Sequence, residues 1–215
     1  MSFRAALLAL ALASGAVACE GRSPSSMTSA PTTSSWVQAN GLEVQLEMPA
    51  KPVSGASGGR PSPVAVTLRF RNASQQPLRF YLIEGEPFRS FQSLLLVYEQ
   101  GSGKLVTAQP DPRPHGYVVT EKDFHLLAPG EEKTFTQSLY VARVARGGQS
   151  VEPLEGFEKG GAFRVRWKYE NSVTQWKGGA MTLDGPTQAL FGGGPIPHIW
   201  TGKVEAEAAL HVAAP

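Results

Sequence analysis

Phe163-Arg164-Val165-Arg166-Trp167-Lys168-Tyr169 alternates a large apolar residue with a cation at every step. A period of two puts Phe163, Val165, Trp167 and Tyr169 on one face of an extended chain and the cations on the other. That is the pattern of a half-buried β-strand. From Val204 to Val212 the same period returns, with Val204, Ala206, Ala208, Leu210 and Val212 alternating against Glu205, Glu207 and His211. Paired antiparallel, the two segments oppose Arg164, Arg166 and Lys168 to Glu205 and Glu207, and each such cross-strand pair contributes ~0.2–1 kcal/mol. The expectation is therefore a neutralised outer face, in preference to a basic face for anionic glycan or lipid.

Working outward, the alternation recurs in Leu42–Met48, Val64–Phe70 and Leu78–Leu82. Leu94 to Tyr98 is continuously apolar, as in a central strand covered on both sides. Gln100-Gly101-Ser102-Gly103 predicts a hairpin turn into Lys104–Thr107. A second pair is expected where Phe124–Leu127, the turn Ala128-Pro129-Gly130 and Lys133–Val141 follow one another. The sum is eight or nine strands with no helix-length periodic segment. Strands without intervening helices cannot form a parallel sheet. The predicted fold is all-β: one antiparallel Ig-like β-sandwich, residues 36–215, with Phe70, Phe80, Phe163, Val165, Trp167 and Leu210 buried on facing sheets.

Composition supports this. The 215 residues are 41% hydrophobic and 18% charged, with Gly 23 and Pro 17 scattered along the chain, enough for a core and unlike a helical bundle. Lys+Arg 20 against Asp+Glu 18 leaves +2, which argues against a dedicated nucleic-acid binder. Several segments carry a resemblance: Asn72-Ala73-Ser74-Gln75-Gln76-Pro77-Leu78-Arg79-Phe80, Leu127-Ala128-Pro129-Gly130-Glu131, Gly161 to Tyr169, and Trp200-Thr201-Gly202-Lys203-Val204-Glu205-Ala206. Together they resemble exported bacterial Ig-like or fibronectin-like β-sandwich domains, over roughly Asn40 to Val212. That resemblance implies no catalytic residues. Cys…Trp…Cys spacing is absent, unlike the disulfide-bonded antibody type.

The N-terminus reads as an address. Arg4 supplies a short charged n-region, Ala5–Ala13 is a nine-residue apolar run, and Ser14-Gly15 breaks it before Ala16-Val17-Ala18-Cys19. Nine apolar residues cannot span ~30 Å of hydrocarbon, so residues 1–18 form an export signal. Ala16-x-Ala18 alone fits ordinary cleavage, leaving a soluble protein with one free thiol. Ala16-Val17-Ala18-Cys19 also resembles a bacterial lipobox, which implies that Cys19 receives a diacylglyceride and an N-acyl chain such as palmitate. The lipoprotein reading is preferred, because a lone thiol at a mature N-terminus is odd in an oxidising compartment. Two or three acyl chains make anchoring effectively permanent. Glu20, where the inner-membrane retention signal has Asp, leans toward the outer membrane of the cell envelope. Residues 19–35 are Ser/Thr/Pro-rich and read as a flexible linker with a reach of ~20–25 Å.

Chemistry-bearing motifs are sparse. Gly55-Ala56-Ser57-Gly58-Gly59 matches G-x-S-x-G, but Pro49, Pro52, Pro61 and Pro63 surround it, so a loop is expected instead of a strand–helix elbow. His115, His125, His198 and His211 lack metal-ligand spacing. No metal, cofactor or nucleotide is implied. The informative anomaly is Asn171–Ile199: 29 residues between two clean strands, where a hairpin needs 2–5. It holds Trp176, Phe191, Gly192-Gly193-Gly194, Pro195, Ile196, Pro197 and His198. Aromatics beside Gly/Pro hinges suit a recognition lip, with Trp176, Phe191, Ile196 and His198 as candidate contacts. The competing expectation is that Trp176 and Phe191 plug the open end of the core. The functional expectation is a non-enzymatic, membrane-anchored binding or structural module for an envelope protein or glycan. The alternatives are a β-sandwich hydrolase or carbohydrate-active enzyme, and an Ig-like protease inhibitor.

Overall fold

The computed structural model describes residues 32–57, 59–82, 93–109, 119–146, 148, 150–176 and 189–214. Cys19, the export signal, most of the linker and His115 lie outside the described residues. In chain order the strands are β1 Val37–Ala39, β2 Leu42–Glu47, β3 Ala56–Ser57, β4 Arg60–Pro61, β5 Val64–Asn72, β6 Leu78–Tyr81, β7 Ser93–Glu99, β8 Leu105–Gln109, β9 Phe124–Leu127, β10 Glu132–Leu139, β11 Ala142–Val144, β12 Val151–Pro153, β13 Gly161–Asn171 and β14 Gly202–Val212. Two four-stranded antiparallel sheets, β1-β2-β5-β10 and β14-β13-β7-β8, face each other. The expected all-β sandwich is present. Its eight main strands are joined by short two-stranded ribbons β3-β4, β6-β9 and β11-β12.

The alternating residues do what their period requires. β13 and β14 pair antiparallel with Arg166 opposite Glu207 and Lys168 opposite Glu205. Arg166 meets Glu207 in a close ion pair, Lys168 Nζ lies 3.4 Å from Glu205, and Lys203 Nζ lies 3.0 Å from the same carboxylate. Burial alone would raise the pKa of Glu205. The hydrogen bond from Lys203 and the charges of Lys168 and Lys203 outweigh it and hold the carboxyl below its ordinary range. The first sheet is neutralised likewise: Arg69 lies 3.3 Å from Glu47 and 3.5 Å from Glu132, and Arg71 lies 2.5 Å from Glu43.

The opposite faces build the core. All six residues expected inside, Phe70, Phe80, Phe163, Val165, Trp167 and Leu210, are buried. Phe70 meets Trp167 edge-on across the sheets at 5.5 Å and stacks on Phe80 at 4.4 Å. Tyr169 stacks between Trp167 at 5.6 Å and Trp200 at 5.4 Å. β7 is an interior strand whose Leu95, Leu96 and Val97 are buried, and its turn leads into β8 as the Gly-rich sequence predicts. On its outer face the guanidinium groups of Arg164 and Arg166 sit over the Tyr98 ring at 5.4 and 5.3 Å.

One expected pairing is different. Phe124–Leu127 and Lys133–Val141 do not form a hairpin with each other. β9 pairs with β6, and β10 pairs with β5. Both partners bend together, so β6-β9 carries the β5-β10 ladder round a corner. Buried Asn72 pins that corner. Its side-chain amide donates to Gln76 O at 2.8 Å and Leu127 O at 3.0 Å, and its Oδ1 accepts from Ser74 N at 2.9 Å and Ser74 Oγ at 2.7 Å. Its backbone accepts from Gly130 N and donates to Glu131 O.

The linker boundary also moves. Thr32 to Ser35 run along the outside of β2, with Met48 N donating to Thr32 O and Ser34 N donating to Leu46 O, each at 2.8 Å. Polar composition suggested a free tether there. A backbone strip needs no apolar side chains to add hydrogen bonds to an open sheet edge.

Candidate functional site

The β6-β9 corner projects past the sandwich, and the long excursion between β13 and β14 folds onto it. Asn171, at the end of β13, holds the base of the excursion: its amide donates to Trp200 O at 2.7 Å and its Oδ1 accepts from Val173 N at 2.9 Å. The return leg runs parallel to β6. Arg79 N donates to His198 O at 2.8 Å, and Trp200 N donates to Arg79 O at 2.6 Å. Trp200 Nε1 then donates to Ala39 O at 2.9 Å, tying the excursion to the first sheet.

A second apolar cluster forms between these segments. Tyr81, Val119, Phe124, Leu190 and Ile196 are its buried members, and Trp176, Phe191 and Ile199 pack half-buried against them. Tyr81 meets Phe124 at 5.0 Å and Trp176 at 6.0 Å, and Phe124 meets Phe191 edge-on at 5.3 Å. Tyr81 N also donates to Tyr169 Oη at 3.0 Å, which links this cluster to the main core. Burial pushes the Tyr169 hydroxyl well above its ordinary pKa of 10.0, so it stays protonated.

Four candidate contacts were named from sequence, and the structure separates them. His198 is exposed, while Trp176 and Phe191 are half-buried. Ile196 is only 3% exposed. Its side chain supports the lip from beneath and is not a contact. Its position follows from Ile196 N donating to Thr174 O at 2.9 Å, which turns the Pro195-Ile196-Pro197 segment inward. Residues 177–188 of the excursion lie outside the described residues.

The lip is held in an unusual conformation. Phe191 has φ 53° and ψ 38°, and His198 has φ 59°. Left-handed backbone at a non-glycine residue costs ~1 kcal/mol or more, and persists where surrounding contacts over-determine it. Here Phe191 N donates to Glu121 Oε1 at 2.7 Å. Glu121 stands on a short 3-10 turn, Glu121–Asp123, that is fixed by Thr120 N donating to Asp123 Oδ2 at 2.7 Å.

Arg79 alternates with the apolar residues of β6, as Arg69 and Arg71 do with those of β5. The structure sets it apart. Among the described residues Arg79 makes no ion pair and no side-chain hydrogen bond; its Nε, like that of Arg69, is buried without a partner. Its guanidinium lies over the Phe191 ring at 4.9 Å. Trp176 Nε1 is likewise buried and unpartnered. Tyr81, Phe124, Glu121 and Arg79 were not singled out from sequence: β6-β9 pairing brings Tyr81, Arg79 and Phe124 together across more than 40 positions, and Glu121 reaches Phe191 from a separate turn.

Other motifs find plain places. Ser57 lies on β3 and pairs with Arg60 of β4, so G-x-S-x-G sits in a tiny hairpin and no helix follows it. His125 Nε2 is 2.8 Å from Leu82 O, with its ring against Phe80 and Phe135. Among the described residues, no group of three His, Cys, Asp or Glu side chains is arranged to hold a metal ion. At the other end of the sandwich a groove of about 200 Å³ is lined by Glu99, Lys104, Val106, Gly156 and Lys159 among others, with both signs of charge.

Fold and site together define an all-β antiparallel sandwich with an aromatic lip built by one long excursion. No protein-family model matches the sequence, and the search of curated proteins gives no match.

Proposed function

We propose that this chain is a lipid-anchored protein of the bacterial cell envelope, and that its sandwich is a non-enzymatic binding module working through the lip. The observation that carries the binding reading is Phe191. A half-buried aromatic ring is held at left-handed φ by a carboxylate from a distant turn, on a segment stapled to β6. Rigid aromatic anchors of this kind give recognition surfaces contact area at low entropic cost. The anchoring reading rests on Ala16-Val17-Ala18-Cys19 after the apolar run. An envelope protein or a glycan is the proposed partner.

Two experiments test the two halves. Cys19→Ala should move the protein from the detergent phase to the soluble periplasmic fraction. Unchanged partitioning, with no acyl mass on the N-terminal peptide, would reject lipidation. Phe191→Ala should reduce crosslinking of the full chain to envelope partners about tenfold. Its effect on Tm should stay within a few degrees, as suits a half-buried ring worth about 1–2 kcal/mol. Undiminished crosslinking would reject the lip as the working surface.

A further inference from the structure

Arg79 is the least explained charge in the fold. Arg69, Arg71, Arg143, Arg164 and Arg166 each meet a carboxylate, whereas Arg79 meets none among the described residues. Its backbone is bonded to the return leg of the excursion through both N–H and C=O, so its position is fixed. Leu126, 41% exposed, stands directly opposite it on β9, and Phe191 covers one face of the guanidinium. A half-buried guanidinium with no facing carboxylate carries part of the desolvation penalty of a charge without the compensating ion pair.

We propose that Arg79, with Phe191 and Leu126 as apolar flanks, is a binding site for a single carboxylate carried on an apolar group. This rests on the reading of the lip as a working surface and names what it recognises. Stacking on Phe191 occupies the face of the guanidinium and leaves its edge free. The edge is where the fork of parallel N–H groups meets a carboxylate in plane. The Nε is buried and the residue as a whole is half-buried, so the terminal nitrogens form the side open to solvent. Glu121, bonded to Phe191 N on the same lip, sets the charge of the ligand. Arg79 on the ring of Phe191 and a carboxylate on its backbone N–H together favour a monoanion over a phosphate dianion. The exposed Leu126 accounts for the apolar group next to the carboxylate.

The test uses the full chain and the NMR signal of the Arg79 Nε–H. Hexanoate should move that signal saturably, while hexanol and inorganic phosphate should not, and acetate should bind roughly tenfold more weakly than hexanoate. Arg79→Gln should abolish the hexanoate response at other lip residues. Arg79→Lys, which keeps the charge without the fork, should weaken it roughly tenfold. Two further probes check the group that carries the carboxylate. A short peptide ending in a free apolar C-terminus should bind where its amide does not, which supports the site. Glucuronate, whose carboxylate sits on a polar ring, should bind no better than acetate, and binding as tight as that of hexanoate would overturn the apolar requirement. An unmoved Arg79 signal with hexanoate, or phosphate binding as tightly as hexanoate, would overturn the proposal, whatever the state of the variants. If partner crosslinking still depends on Phe191 while hexanoate fails, the carboxylate site falls and the lip stands. If crosslinking is also indifferent to Phe191, both fall.

Discussion

Trp167→Ala should destabilise the protein by about 3–5 kcal/mol, the cost of emptying a buried aromatic site. Trp167 has no exposed surface and sits on β13, an interior strand. Its ring touches Phe70 from the facing sheet and stacks on Tyr169. Its Nε1 donates to Ser93 Oγ at 2.7 Å, and Ser93 is itself buried. Truncation therefore opens a cavity and also strips a partner from a buried hydroxyl. Domains of this size have roughly 5–15 kcal/mol of total stability, so the loss should be visible in the urea midpoint. Trp167→Phe should cost clearly less, because most of the ring contact survives. A change below about 1 kcal/mol for Trp167→Ala would mean that the two sheets do not meet there.

Asn72→Ala is the second large effect, about 3–5 kcal/mol, and its origin is polar. Asn72 is fully buried and all four of its side-chain hydrogen-bonding positions are used. Removing the amide takes a donor from the buried Leu127 O and from Gln76 O, at about 1–3 kcal/mol, and releases the turn at Ser74 and Gln76. Asn72→Asp separates the parts. It keeps the acceptor for Ser74, loses the donors to Leu127 and Gln76, and puts a carboxylate beside two carbonyls, so it should be at least as damaging. Because the corner carries β6 and β9, hydrogen exchange should rise first at Arg79, Tyr81 and Phe124. Uniform loosening of both sheets would contradict this local role.

How much of this was legible beforehand follows from where the information sits. Alternation along β5, β13 and β14 is local, so the inward residues and the facing of Arg164, Arg166 and Lys168 against Glu205 and Glu207 could be read directly, and the structure adds the register. The corner could not. Ala128-Pro129-Gly130 has the composition of a hairpin turn, and only Asn72, more than 50 positions away, makes it the outer track of a bend. The excursion was visible by its length, but its packing was not. Ile196 stands between two prolines in what reads as a surface loop. Its burial depends on Tyr81 and Phe124, which strand pairing brings beside it. Arg79 looked like its neighbours Arg69 and Arg71, because the absence of a facing carboxylate is a property of the third dimension.

The strip at Thr32–Ser35 gives the molecule a polarity. Thr32 is bonded beside Met48, just past the end of β2, whereas the lip stands beyond Leu42 and Asn72 at the other end of the same ladder. The strip and the lip therefore occupy opposite poles, separated by the length of β2, about 20 Å at ~3.3 Å per residue. Under the proposed anchoring at Cys19, Phe191 and Arg79 stand at the pole of the sandwich remote from the anchored end. A partner is then expected to approach from the side opposite the anchor, and a change in the length of the segment before Thr32 to leave binding at the lip unchanged.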